Sequence, residues 1–221
     1  MNKDEINKLL NDLFPLNRSI TGNGLRESFK VLYEFVPFDL KEIPSNLIIG
    51  DWTVPHEWNV EEAYIKNSKN EKILDYEDSN LHVINYSTKL QGKFNLKELN
   101  NYLYSNPQVP KAIPYITSYY DKISGFCMDH ETYKSLKEDE YEVLINSEHF
   151  LGSMTIGECV LEGETKEEVL ISSYLCHPSM GNNELSGPIV LTYLYDALKK
   201  QKNKYTYRFV IFPETIGAIA Y

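Results

Sequence analysis

The chain has 221 residues, of which 42% are hydrophobic and 24% are charged, and its formal net charge at pH 7 is −10. This length and apolar fraction suffice for one packed domain, or for one with a smaller domain attached, and they argue against global disorder. The acidic balance argues against a nucleic-acid partner, because such binding rests on surplus Lys and Arg contacts to phosphates.

The sequence also predicts a cytoplasmic protein with no membrane partner. It has no run of about 18 apolar residues, and its first residues lack the basic and then apolar order of a signal peptide. Its three cysteines, Cys127, Cys159 and Cys176, are odd in number and widely spaced, without a CxxC pair. We expect reduced thiols.

Two amphipathic helices are predicted at the start of the chain. Asn2 and Glu5 have the spacing of a capping box, and Pro15 ends the first helix. The apolar face of this helix consists of Ile6, Leu9, Leu10, Leu13 and Phe14. The second helix ends before Pro37 and has an apolar face made of Leu25, Phe29, Leu32 and Tyr33.

The middle of the chain, residues 49–140, is rich in aromatic and turn residues and predicts an inserted, mostly β subdomain. It has a strand-like run at residues 82–86, a short helix after Asn95, and strand formers at 112–120 that Pro114 interrupts. Residues 1–48 and 141–221 would then form one α/β domain around the insertion.

The last eighty residues alternate between strand and helix. Residues 169–175 begin with a continuous apolar run, which is typical of a strand covered on both faces. A helical stripe then runs from Leu185 to Leu198, and residues 207–212 form a second apolar strand. The order strand, helix, strand predicts a parallel pair in an α/β sheet.

Two residues with useful chemistry follow these strands directly. His177 comes just after the first strand, and Glu214 just after the second. Because open α/β sheets bind ligands beyond the carboxyl ends of their strands, we expect both side chains at one rim. An imidazole and a carboxylate suit a metal ligand and a general base. The alternative is that His177 is an ordinary hydrogen-bonding residue of a loop.

The polar loop between them, residues 181–187, leads directly into the predicted helix. Its side chains could turn toward the crevice. The alternative is that Asn183 and Ser186, both good N-cap residues, cap the helix.

Three segments carry a resemblance to a known family. CHPSMGNNELSGP at 176–188, FPETIG at 212–217 and LFPLNRSITG at 13–22 resemble the DUF4910 family of aminopeptidase-like proteins. DWTVP at 51–55, the tyrosine pair at 119–120 and GFC at 125–127 resemble the DUF2172 domain nested in that family. The resemblance covers essentially the whole chain.

The resemblance implies a fold like that of the M28 zinc aminopeptidases: a phosphorylase/hydrolase-like α/β/α sheet, incomplete here, with a small inserted domain. It makes His177 a metal ligand and Glu214 the general base that deprotonates a metal-bound water. Asn183 stands where M28 enzymes have a bridging Asp, and the adjacent Glu184 is a substitute ligand. Thr215 stands where they have a second Glu.

Neutral residues at two ligand positions imply a single zinc ion rather than two. The remaining ligands are expected downstream of Tyr221, in a chain truncated at its C-terminus. The exposed strand edge of such a piece would favour association, so a homo-oligomer is one expectation.

Two functions are compatible with these residues. One is a zinc-dependent aminopeptidase-like hydrolase acting on a peptide or small amide. The other is an accessory protein of surface polysaccharide synthesis that uses a degenerate peptidase scaffold, with Trp52 and Trp58 stacking on sugar rings; the alternative for those aromatics, which we favour, is ordinary packing in the core. The remaining histidines, which we expect to be structural, are His56, His82, His130 and His149.

Overall fold

The computed structural model describes all 221 residues and divides into two compact units. Unit 1 consists of Met1–Glu57 and Phe150–Tyr221, and unit 2 of Trp58–His149. These boundaries come later in the chain than the predicted ones at 48 and 140, because the strands Glu57–Lys66 and Glu140–Phe150 belong to one sheet.

The chain contains six α-helices and twelve strands, numbered in chain order. The helices are α1 Lys3–Leu13, α2 Asn23–Tyr33, α3 Leu96–Leu99, α4 His130–Ser135, α5 Ser186–Leu198 and α6 Ile216–Ala220. The first six strands are β1 Asp39–Pro44, β2 Ile48–Ile49, β3 Trp52–Thr53, β4 Glu57–Lys66, β5 Lys72–Asp75 and β6 Leu90–Asn95. The others are β7 Leu103–Tyr104, β8 Phe126–Cys127, β9 Glu140–Phe150, β10 Ser153–Leu161, β11 Glu168–Tyr174 and β12 Thr206–Phe212.

The two N-terminal helices form where the sequence predicts them. Asn2 caps α1, with the side chains of Asn2 and Glu5 each accepting from the backbone N–H of the other residue. The helix ends just before Pro15, which cannot continue it. The predicted short helix after Asn95 is also confirmed, and Asn95 caps it.

Unit 1 is built on a four-stranded sheet in the order β1-β10-β12-β11. Strands β1 and β10, and β10 and β12, pair antiparallel, whereas β11 and β12 pair parallel, as predicted. Helices α1, α2 and α5 share the apolar core with one face of this sheet. The predicted mixed α/β class is therefore confirmed for this unit.

Helix α2 packs closely on β10 because Gly157 leaves room for an aromatic ring. A Cβ atom at Gly157 would lie 2.2 Å from Cε1 of Phe29. Phe29 is buried and contacts the ring of Phe38 edge-on at 5.7 Å between centroids. The glycine thus sets the distance between helix and sheet.

Strand β11 corrects one expectation. It lies at the edge of the sheet, and the side chains of Val169 and Leu170 are 37% and 57% exposed. The expectation that this strand is covered on both faces is wrong for these 221 residues, because the side chains of Val169 and Leu170 reach solvent. A continuous apolar run does not distinguish a covered strand from an edge strand. Strand β12, in contrast, has Phe209, Val210 and Ile211 fully buried.

Unit 2 has its own four-stranded sheet, in the order β5-β4-β9-β6, and its own apolar core. Two strands predicted in it are wrong. Residues 80–82 form a 3₁₀ turn followed by an isolated bridge from Val83 to Phe126, and residues 112–120 contribute only a bridge from Thr117 to Asn85. β-branched and aromatic residues there fill loops, which local propensity does not reveal.

No helix in the structure has the length and apolar character needed to cross a membrane. All three cysteines are free and buried.

A partly buried ion network links Arg26 of α2 to Glu42, Glu57 and Ser153 in unit 1. Arg26 Nη2 donates to Glu57 Oε2 at 2.9 Å and to Ser153 Oγ at 3.0 Å, and it also reaches Glu42. Burial alone would raise the pKa of Glu42 and Glu57, but the hydrogen bonds and charge of Arg26 outweigh it and lower both pKa values.

We predict that Gly157→Ala lowers the free energy of unfolding by about 1–3 kcal/mol, because the added methyl group must displace the ring of Phe29. Urea unfolding measures the change. Gly181→Ala is the control, since a Cβ there would meet nothing within 4 Å. Equal effects of the two substitutions would contradict this account of the packing.

We also predict that Glu57→Gln weakens the dependence of stability on pH. Because the pKa of Glu42 and Glu57 is lower in the folded state than the ordinary 4.5, their contribution is present above pH 4.5 and is lost as the pH falls toward the folded pKa. Urea unfolding at a series of pH values should show a smaller loss on acidification in the variant. The exposed Glu164→Gln should keep the wild-type loss.

Candidate functional site

The carboxyl ends of β11 and β12 bring His177 and Glu214 together. The register pairs Tyr174 with Phe212, and Leu175 N–H donates to Phe212 O at 3.0 Å, so both strands end at the same level. His177 Nε2 lies 2.9 Å from Glu214 Oε2. The predicted meeting of these side chains at one rim is therefore confirmed.

The two residues differ in their exposure to solvent. His177 is 7% exposed, with the Tyr174 ring edge-on at 6.0 Å between centroids. The side chain of Glu214 is 51% exposed. The imidazole is therefore held inside the protein, while the carboxylate is accessible to solvent.

Cys176 also lies at this rim, next to both side chains. Its Sγ lies 3.7 and 3.8 Å from the two ring nitrogens of His177 and accepts from Glu214 N–H at 3.3 Å. Burial raises the pKa of this thiol well above its ordinary value. The sequence predicts Cys176 only as a reduced thiol, because nothing local indicates that it lies beside His177 and Glu214.

The loop before α5 turns Glu184 inward and Asn183 outward. Glu184 is 2% exposed, and its Oε1 accepts from His177 N–H at 2.8 Å and from Cys176 N–H. The exposed Asn183 instead accepts from the Tyr174 hydroxyl at 3.0 Å through Oδ1. No side chain caps α5, and Ser186 Oγ donates to Asn182 O, so the capping alternative is wrong.

The carboxyl group of Glu184 has a raised pKa and one oxygen without a hydrogen-bond partner. Burial raises the pKa of its carboxyl group to about 7, although two backbone N–H donors and Arg18 oppose this rise. Its second oxygen, Oε2, is buried and has no hydrogen-bond partner. A buried carboxylate oxygen without a partner is costly and suggests a missing ligand.

Backbone strain concentrates around the same rim. Ser179, Glu184 and Thr215 have φ values of 46°, 118° and 58°, a region that favours glycine. Each such residue costs on the order of 1–3 kcal/mol, and such residues cluster at functional sites. Thr215, at the position of the second Glu in the resemblance, lies just before α6.

The donor set at this rim fits a metal ion. One ligand atom from each of Cys176, His177 and Glu184 lies within 4.8 Å of the other two, and all three residues are buried. Thiolate, imidazole and carboxylate are the ligands that zinc takes in proteins. The unpartnered Oε2 of Glu184 is the observation in favour of such a role.

The other histidines make ordinary structural contacts. His82 Nδ1 lies 2.8 Å from Cys127 O, and His130 Nδ1 lies 2.9 Å from Ser105 Oγ. His149 contacts the Tyr86 ring edge-on at 4.5 Å between centroids. None of these three belongs to the cluster of Cys176, His177 and Glu184.

The chain is similar to proteins with aminopeptidase-like domains. A relative from Clostridium acetobutylicum, named "Putative polysaccharide biosynthesis protein with aminopeptidase-like domain", is 45% identical over 217 residues, which are 98% of this chain and 50% of the relative. A crystal structure of a "putative peptidase" from the same organism superposes with a TM-score of 0.96 at 45% identity, over 98% of this chain and 51% of that chain. This chain thus spans about half the length of these relatives.

A structural similarity at low sequence identity shows the fold alone. The zinc aminopeptidase BSAP from Bacillus subtilis superposes with a TM-score of 0.58 at 11% identity, over 96% of this chain and 60% of that chain. The fold is that of the zinc aminopeptidases. The family model described as "Domain of unknown function (DUF4910)" matches residues 7–221, and the chain therefore belongs to the DUF4910 family.

Proposed function

We propose that this chain carries part of the active site of a zinc-dependent, aminopeptidase-like hydrolase that cleaves a peptide or small amide. The observation that supports this most is the 2.9 Å contact between His177 Nε2 and Glu214 Oε2 beyond two parallel strands. A metal ligand and a general base at the same rim can both reach one metal-bound water, with zinc taking the place of their direct contact at His177 Nε2.

In this proposal His177 and Glu184 hold a single zinc ion, and Cys176 is a third donor close enough to join them. Asn183 is the weaker candidate, because its side-chain oxygen already accepts from Tyr174. When bound, zinc would lower the pKa of a coordinated water to about 7.

Glu214 is the group that would take the proton from the attacking water. Its carboxylate is half exposed and accessible to solvent, and its main-chain N–H is tied to Cys176 Sγ. The carboxylate can then pass the proton to the leaving amine, as a general acid. His177, the proposed metal ligand, is buried beside it.

A second candidate is a non-catalytic accessory protein of polysaccharide synthesis, which the name of the Clostridium relative favours. Asn183 and Thr215 in place of carboxylates also favour it. Trp58 does not support this candidate, because it cannot stack on a sugar ring: it is 2% exposed, and its Nε1 donates to Ser87 O at 2.8 Å. A cytoplasmic location remains a prediction for either candidate.

We predict that Glu214→Gln lowers kcat for an aminopeptidase substrate by about 10²–10⁴-fold, the usual contribution of a general base. Bound zinc should be retained, since the proposed ligands are unchanged. Turnover assays with metal analysis of the full-length protein measure both quantities. Glu164→Gln, on the exposed surface, should retain wild-type activity.

Full activity of Glu214→Gln would contradict the proposed mechanism. A wild-type protein that neither binds zinc nor hydrolyses peptides would instead support the accessory role.

A further inference from the structure

Arg18 is a fully buried cation that the proposed chemistry does not use. It lies in the segment 13–22 that carries the family resemblance, and its exposed fraction is 0%. Its Nε donates to His177 O at 3.0 Å, and its Nη1 donates to Leu13 O at the end of α1. The N-terminal motif thus delivers a guanidinium to the main chain of the candidate metal ligand.

The segment that holds Arg18 is itself fixed by close packing. A Cβ atom at Gly24 would lie 1.7 Å from Asn17 O, so only glycine allows α2 to approach the main chain of this segment. Arg18 Nη1 also lies 3.5 Å from Ser28 Oγ of α2. The guanidinium is therefore held by contacts to α1 and α2 as well as by its hydrogen bond to the loop of His177.

Glu184 contacts the N–H group of the same residue, next to the guanidinium of Arg18. Regular pairing with β12 ends at Leu175, and the next two N–H groups, of Cys176 and His177, donate to Glu184 Oε1. The carboxylate replaces the neighbouring strand as their acceptor. It lies 3.5 Å from Arg18 Nε, so one ion pair meets both the N–H and the C=O of His177.

Stability alone is a poor reason for this arrangement. Burying two charges costs more than their attraction regularly returns, and apolar residues of similar volume often serve as well. The backbone of Glu184 is also strained, with a φ of 118°. These costs have a reason if the pair fixes the position of the His177 main chain.

We propose that Arg18 is a positioning residue which, together with Oε1 of Glu184, clamps the N–H and C=O groups of His177 and aims its imidazole at Glu214, while Oε2 of Glu184 stays available to the metal ion. The functional part of this inference rests on the proposed hydrolase site; the clamp itself does not. Arg18 offers no ligand atom and acts only through His177.

The test uses Arg18→Lys and Glu184→Gln in the full chain. A second ion pair of unit 1, Arg26 with Glu57, does not contact the His177 main chain and supplies matched controls, Arg26→Lys and Glu57→Gln. The first readout is amide hydrogen exchange at Cys176 and His177 without added metal. We expect exchange at both amides to rise at least about fivefold in Glu184→Gln, because a neutral acceptor holds them less strongly than a carboxylate.

The second readout is zinc affinity, with zinc alone as the probe. We expect Arg18→Lys to weaken zinc binding by about 10- to 100-fold, as loss of an outer contact to a metal ligand typically does. In peptide hydrolysis the same variant should lower kcat with little change in KM. The controls should lower the thermal midpoint without changing exchange at these amides or zinc affinity.

Exchange at Cys176 and His177 that is unchanged in Glu184→Gln, or raised equally in the controls, would overturn the clamp. If Arg18→Lys does not fold, the exchange data from Glu184→Gln still show whether the clamp exists. A wild-type protein that binds no zinc would contradict the proposed function, whereas the exchange measurement would still decide the inference.

Discussion

The parallel pairing of β11 with β12 is the constraint on which the candidate site depends. Parallel strands end at the same edge of a sheet, and the register here sets Tyr174 opposite Phe212. Residues that follow the two strands must therefore meet, although 37 positions separate His177 from Glu214 in the sequence. Helix α5, which connects the strands, packs on the same sheet and fixes the end of the loop that follows β11.

Hydrogen bonds to the main chain fix the positions of the residues at the rim more than side-chain packing does. Leu175 is the last residue whose main chain bonds to the neighbouring strand. Beyond it, the N–H groups of Cys176 and His177 donate to the carboxylate of Glu184, and the C=O of His177 accepts from the guanidinium of Arg18. Both ionic groups are buried, and the backbone of Glu184 is strained. Costs of this kind persist only where the surrounding structure compensates for them.

The hydrolase and accessory hypotheses differ at this rim in one respect, which is whether the donor set binds a metal. Two positions that the resemblance assigns to carboxylate ligands hold Asn183 and Thr215, which weakens a two-metal centre. The buried Oε2 of Glu184 and the nearby thiol and imidazole supply other donors. The candidate site therefore differs in its ligand types from the one that the resemblance implies, while the carboxylate of Glu214, the proposed general base, lies at the rim.

The sequence by itself determined the local elements and their order. The capping box of α1, the helix α5 and the pair β11 and β12 all follow from short-range patterns, since capping residues and apolar periodicity act within a few positions. The meeting of His177 and Glu214 also followed, because strand order and parallel direction suffice to predict it.

Only the tertiary structure decided which loop side chain turns inward. Asn183 and Glu184 are adjacent and both polar, and the positive φ of Glu184 directs it to the core while Asn183 faces solvent. Likewise the burial of Arg18 depends on α1, α2 and the His177 loop, which are distant in sequence. The edge position of β11 depends on which strands pair with it. Periodicity reports local geometry, whereas partners contributed by remote segments leave no periodic signal.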